Sequence, residues 1–164
     1  EFVGRKGGEK QYRFNFDTVL RTEDAGLVTF RGLREGEIFQ EGDPAYKVWA
    51  DAGSWLESKD NFTLVGDIVV TRDDNDLTLY TEELQWDGNT KIITIPVPAQ
   101  LSIDNMQAQS KRMEAHMEQD RLHLQGDAQV WDDGHTIRSQ EIIYDRGAEK
   151  LYLLGQSEID FRIF

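Results

Sequence analysis

The sequence predicts an all-β domain, on the strength of three observations. Apolar and polar residues alternate along most of the chain, polar turn residues recur at short intervals, and a unit of about 30 residues repeats. Alternation is typical of strands because successive side chains point to opposite faces of a sheet. The length of 164 residues suits one domain, so we expect residues 1–164 to fold as a single unit.

The alternation is clearest in three segments, each of which places apolar or small residues on one face. These residues are Phe62, Leu64, Gly66, Ile68 and Val70, then Leu122, Leu124, Gly126, Ala128 and Val130, and finally Leu151, Leu153, Gly155, Ser157, Ile159 and Phe161. Turns rich in Asp, Asn and Gly separate such runs, at 23–26, 58–61, 73–76, 87–89, 132–134 and 145–147. The pattern predicts a meander of antiparallel hairpins.

The repeat consists of three columns of residues that keep their spacing through four copies, with steps of 29 or 31 residues. The columns are Gly66, Ile95, Gly126 and Gly155; Ala50, Thr81, Ser110 and Ser139; and Trp55, Trp86, Ala115 and Tyr144. They define units at about 46–75, 76–105, 106–134 and 135–164. A small residue inside a long strand predicts a bend, so each hairpin should fold into a V and stacked Vs should form a trough.

The amino-terminal region fits the repeat less clearly. We expect strands around Tyr12–Leu20 and Leu27–Gln40, and disorder or a linker at residues 1–10. A helix is an alternative only at Asp104–Gln119, where the three methionines are in helical register. The repeat favours strands there.

The strands also resemble those of a known family. Tyr46–Gly53 is an aromatic-rich strand containing Ala-Asp, and Asn61–Val70 follows it with a Leu-x-Gly step. Further strands of the same kind are Thr78–Leu84, Ile137–Asp145 and Leu151–Gly155. From Tyr46 to Ile159 the chain resembles the LptC family of lipopolysaccharide-transport proteins, whose repeat is shared with LptA and the organic-solvent-tolerance-type domains.

The resemblance implies a twisted, open β-jelly roll of stacked bent antiparallel hairpins, located in the periplasm. It implies that lipopolysaccharide is received from an inner-membrane ABC transporter complex and passed to an LptA-like bridge protein by edge-strand pairing. An N-terminal helix, absent from this sequence, would anchor the protein to the inner membrane. An LptA-type bridge protein is the alternative within the superfamily, and a structural β-repeat binding module is the alternative outside transport.

The inward apolar stripe is the expected lipid-binding surface, because buried methylenes contribute about 0.8 kcal/mol each. The predicted lipid-binding residues are Leu64, Ile68, Val70, Ile93, Ile95, Val97, Leu122, Leu124, Leu153 and Ile159. The predicted partner edge is Tyr152, Leu154, Phe161 and Ile163, on the last strand. From the pattern alone, a solid core and a terminal core strand remain the alternatives.

Composition and motifs argue against other function classes. The net charge of -13 repels nucleic acid, and the absence of cysteine excludes thiol chemistry and disulfides. Paired carboxylates could hydrolyse glycosides, but no Ser-His-Asp pattern or phosphate loop is present, so we predict no enzyme, cofactor or metal. The turn Asp73–Asp76 lacks the Gly and distal Glu of a calcium loop, and His116, His123 and His135 are expected on the surface or in turns.

Overall fold

The described part of the chain forms a single antiparallel sheet of 14 strands. The computed structural model describes residues 1–22 and 26–161. The strands are β1 (Phe2–Lys6), β2 (Glu9–Phe14), β3 (Phe16–Thr22), β4 (Leu27–Gln40), β5 (Asp43–Leu56), β6 (Asn61–Arg72), β7 (Leu77–Asp87), β8 (Ile92–Ile95), β9 (Ala99–Ile103), β10 (Met106–Ser110), β11 (Arg112–His116), β12 (Arg121–Trp131), β13 (His135–Asp145) and β14 (Lys150–Phe161). Two 3₁₀ turns, Glu57–Lys59 and Asp73–Asn75, follow β5 and β6. The all-β prediction is confirmed, and the methionine segment is strand.

The strands follow each other as a meander of long strands, some of which are interrupted. β4 to β7 pair in order, β7 pairs with both β8 and β9, and these pair with β11 and β10. Both β10 and β11 pair with β12, which is followed by β13 and β14. The strands β8 and β9 together therefore take the place of one long strand, and so do β10 and β11. Pro96 and Pro98, which cannot donate a ladder hydrogen bond, separate β8 from β9.

A line of bulges crosses the sheet where the repeat predicts bends. The register shifts between Val65 and Ile68 in β6, and between Gln125 and Ala128 in β12. The three glycines of the first repeat column have positive φ, at +80° for Gly66, +78° for Gly126 and +85° for Gly155. Glycine adopts this conformation without a steric penalty, so the repeat places it where the strand changes direction.

The bulge line divides the sheet into two half-sheets that face each other. Half-sheet I contains β3, β8 and β11 with the strand segments that pair with them, and half-sheet II contains β2, β9 and β10 with theirs. Their side chains share one core, in which the Tyr12 ring of half-sheet II lies 5.2 Å from the Phe62 ring of half-sheet I. The small residues of the second column are all buried near the bulge line; they are Ala50, Thr81, Ser110 and Ser139.

The expectation of disorder or a linker at residues 1–10 is corrected by the structure, because β1 and the start of β2 lie there. The Phe2 ring packs 5.6 Å from Phe16 and 5.3 Å from Trp55. Burial of these aromatic side chains offsets the entropy lost when the segment is ordered. Likewise β2 and β3 both pair with β4, so together they replace one long strand and extend the meander.

The outer face of half-sheet I carries two of the three histidines. The rings of His116 and His123 stack with centroids 4.4 Å apart. His116 Nε2 lies 3.0 Å from a Glu114 carboxylate oxygen, and His123 Nδ1 lies 3.8 Å from Glu141. Burial, followed by the neighbouring His116, holds the pKa of His123 below its ordinary value. His135, the first residue of β13, lies against Asp132 in the preceding turn.

We expect Gly66→Ala to lower the free energy of unfolding by about 1–2 kcal/mol, because a side chain at φ +80° is strained. The new Cβ would also lie 2.7 Å from an Asp51 carboxylate oxygen. The matched control is Gly147→Ala, where φ is ordinary and the nearest atom is 3.6 Å from the Cβ position. Urea unfolding measures both. Equal effects of the two substitutions would contradict the bulge assignment.

The stability of the fold should decrease as the pH falls below the unfolded-state histidine pKa of about 6.5. The lowered pKa of His123 means that the folded state binds fewer protons than the unfolded state in this range. The stabilisation is complete above the unfolded-state pKa and is lost as the pH falls toward the folded-state value. Urea unfolding at about pH 7.5 and about pH 5.5 should show a smaller decrease in His123→Gln than in the wild type. An identical decrease in both proteins would rule out this role of His123.

Candidate functional site

A cavity of about 600 Å³ lies between the two half-sheets. Its apolar wall is formed in half-sheet I by Leu84, Ile93, Ile95, Met113, Ala115 and Leu122, and in half-sheet II by Ile38, Val70, Leu77, Leu79, Leu101, Ile103 and Met106. The cavity opens where the turns of one half-sheet face those of the other. A space of this size with an apolar wall suits a hydrocarbon ligand, which needs no directional partner.

The ten residues predicted to bind lipid fall into three groups. Four of them line the cavity; they are Val70, Ile93, Ile95 and Leu122. Five are packed in or against the core, away from the cavity; they are Leu64, Ile68, Leu124, Val97 and Leu153. The remaining residue, Ile159, is 47% exposed near the end of β14. The structure thus brings four of the ten predicted residues together around the cavity, near the middle of the stacked strands.

The residues predicted from the sequence omit much of the cavity wall in half-sheet II. They also omit all of the methionines that border the cavity. Met106, Met113 and Met117 are the three methionines of the chain, and all of them border the cavity. The signal was present in the sequence as the methionine register at Asp104–Gln119, which serves only as the basis of the helical alternative. A flexible thioether side chain adapts its shape to what it packs against, so these residues give the wall an adjustable surface.

Charged residues surround the mouth of the cavity. On the half-sheet II side, Arg72 donates to both carboxylate oxygens of Asp74 at 2.5 and 2.6 Å, and to the Tyr46 hydroxyl at 3.1 Å. The Arg72 guanidinium holds the pKa of Asp74 below its usual value, so this carboxylate stays charged. On the half-sheet I side, Arg146 donates to Asp120 at 3.1 Å. The acidic turn at Asp73–Asp76 therefore contributes Asp73 and Asp74 to this rim.

A more polar recess of about 750 Å³ adjoins the same mouth. Acidic residues outnumber basic ones in its lining. The acidic residues are Glu37, Glu41, Asp43, Asp73, Asp74, Glu118 and Asp120, and the basic ones are Lys47, Arg72 and Arg146. Charged, hydrated side chains thus surround the outside of the mouth, and apolar side chains line the cavity within it. A ligand with a polar head and apolar tails matches this division, because burying an unpaired charge in the apolar wall would be costly.

The last strand has one free edge within the described part of the chain. β14 pairs with β13 from Lys150 to Phe161, and no strand covers its other side there. Three of the predicted partner-edge residues are on it and are exposed; they are Tyr152, Leu154 and Phe161, at 44%, 45% and 66%. Ile163 lies outside the described residues. An exposed edge with apolar side chains is the geometry to which another strand can be added.

Two other features bear on the site. In residues 1–22 and 26–161, no helix is long and apolar enough to cross a membrane. Over the same residues, no three His, Asp or Glu side chains are grouped so that they could hold a metal ion.

Comparison with known proteins gives a matching family model and similar solved structures. The family model LptC, described as "Lipopolysaccharide-assembly, LptC-related", matches residues 4–133. The chain is also similar to the crystal structure of LptH, the LptA homologous periplasmic component of the conserved lipopolysaccharide transport device from Pseudomonas aeruginosa. That similarity has 17% identity and a TM-score of 0.36, and covers 93% of this chain and 94% of the other. No curated protein matches the chain in sequence.

The family match runs from within β1 to the turn after β12, so it includes most strands that form the cavity. It confirms the resemblance read from the strand motifs and, with it, lipopolysaccharide transport in the periplasm as the class of function. The chain belongs to the LptC-related family of lipopolysaccharide-assembly proteins.

Proposed function

We propose that this domain carries lipopolysaccharide by holding its acyl chains in the cavity between the half-sheets, while the phosphorylated sugars stay outside the mouth. The observation that carries the proposal is the cavity of about 600 Å³ with an apolar wall and a charged rim. Each methylene that enters such a wall contributes about 0.8 kcal/mol, so the chains alone supply ample binding energy.

The charge of the domain supports the same arrangement. A net charge of -13 and an acidic recess beside the mouth repel phosphate groups, so the headgroup gains little by approaching the protein surface. Binding then depends on the acyl chains. An apolar wall has no intrinsic direction, and the proposal includes no chemical step, so directed movement requires an energy source outside this domain.

The partners belong to the same proposal. An inner-membrane ABC transporter complex would supply the lipid, and an LptA-like bridge protein would receive it across β14. The exposed side chains Tyr152, Leu154 and Phe161 support this assignment, since an edge strand with apolar residues is stabilised by a further strand. An N-terminal helix upstream of this sequence would hold the domain at the inner membrane.

Photo-crosslinking with lipopolysaccharide tests the cavity. A photoreactive residue at Leu122, in the wall, should give lipid adducts, whereas one at Tyr80, which is 56% exposed outside the cavity, should not. Ala115→Trp fills the cavity and should weaken lipid binding about tenfold or more, equivalent to about 1.4 kcal/mol. Circular dichroism checks its fold. Equal adducts at both positions would favour a structural β-repeat module with surface-bound lipid.

Truncation after Glu158 tests the partner edge. It removes the half-sheet II end of β14, so binding to an LptA-like domain should be lost while the meander from β1 to β13 stays folded. The control is Val19→Asp with Leu20→Asp, which alters exposed apolar residues on β3 at the opposite end of the sheet. Partner binding by analytical ultracentrifugation should fall only in the truncated protein. Undiminished binding after truncation would exclude the end of β14 from Ile159 onward as the partner edge.

A further inference from the structure

The hairpin β1–β2 extends from one half-sheet to the other at the amino-terminal end of the gap. β2 pairs with β4 of half-sheet II at Tyr12 and Arg13. Two side chains then reach turns of half-sheet I. The Tyr12 hydroxyl donates to Asp60 Oδ1 at 2.7 Å, and Lys6 Nζ donates to the Gly88 carbonyl at 3.0 Å.

Aromatic rings from this hairpin fill the space beneath it. Tyr12 and Phe14 are each only 2% exposed. Their ring centroids lie 5.2 and 5.0 Å from that of Phe62 in half-sheet I, and Phe62 lies 6.2 Å from Trp86. Burial of these rings stabilises the hairpin in this position.

These rings adjoin the cavity directly. The backbone partner of Tyr12 is Ile38, and the backbone partner of Trp86 is Ile93. Both partners line the cavity wall. The aromatic cluster is therefore the amino-terminal end of the cavity, and the gap between the half-sheets continues into the space that the rings occupy.

We infer that the β1–β2 hairpin is a displaceable plug, and that acyl chains of the bound lipid compete with the Tyr12 and Phe14 rings for the amino-terminal part of the gap. The inference rests on the proposed function, because it assigns an additional position to the same chains. With the plug in place, the cavity ends at the aromatic cluster. With the plug displaced, the trough extends along the full stack of strands.

The hairpin is suited to move as a unit. β1 and β2 pair with each other from Phe2–Phe14 to Lys6–Glu9, whereas β2 pairs with β4 at two residues. Displacement breaks the Tyr12 and Lys6 hydrogen bonds and the ion pair between Arg13 and Glu37. Much of the apolar burial lost by the rings is regained by the entering chain, since both are hydrocarbon in contact with the same wall.

The polar groups around the plug support reversible displacement of the hairpin by acyl chains rather than permanent closure of the gap. The Trp86 indole N–H is buried without an acceptor among the described residues, a feature that packing for stability alone would avoid. The Tyr12 hydroxyl is neutral and donates, because burial, followed by the Asp60 carboxylate, raises its pKa. Its bond to Asp60 joins the hairpin to half-sheet I and can be removed without loss of the ring.

Native mass spectrometry combined with hydrogen–deuterium exchange, with lipid A as the probe, tests the plug on the whole chain. Once a one-to-one complex is observed, amides of residues 2–14 should exchange faster in the complex than in the free protein, while those of β12 should exchange more slowly. A complex in which residues 2–14 are unchanged or better protected overturns the plug and leaves the proposed function standing. Failure to form any complex overturns the proposed function, and the plug with it.

Two variants sharpen the test. Tyr12→Phe keeps the ring and removes the bond to Asp60, so it should raise exchange in β1–β2 without lipid and tighten lipid A binding about three- to tenfold. Lys6→Met should act in the same direction. The control Tyr80→Phe, at an exposed tyrosine of β7, should change neither quantity. Unchanged or weaker lipid binding in both hairpin variants, with the fold intact, contradicts the plug.

Discussion

The fold depends on bulges and breaks that interrupt its long strands along one line across the sheet. A continuous 14-stranded sheet would expose one apolar face, and the bulge line solves this by turning the sheet so that its two halves face each other. Positive φ at Gly66, Gly126 and Gly155 provides the bulges, and Pro96 and Pro98 provide an outright break. The core, the cavity and the charged mouth all follow from this arrangement of two half-sheets.

Much of this architecture could be predicted from the sequence because the repeat encodes it locally. Period-2 alternation identifies the face of each strand, and the glycine column identifies the bulges. The amino-terminal strands were harder to predict because β1 is short and Gly7 and Gly8 follow it. Their stability comes from distant rings such as Trp55, which no local pattern reports.

The position of the cavity could not be predicted in the same way. Alternation shows that Leu122 and Leu124 face inward, but not how far away the opposite half-sheet lies. Leu122 borders the cavity, whereas Leu124 is in the packed core at 2% exposure. The separation of the half-sheets depends on the volumes of side chains from many strands together. Aromatic rings close the gap near β2, and smaller or more flexible residues such as Ala115 and Met113 leave it open further along.

The bulge at Gly155 has a consequence for any strand that docks on the edge. β14 carries the same irregularity as the strands inside the sheet, with a register shift opposite Ser139 and Glu141. A straight incoming strand could pair with the segment before the bulge or with the segment after it, but not with both in one register. Only a strand with its own break at the same height can match the whole edge. The edge thus selects a partner by the spacing of its backbone, independently of side-chain identity.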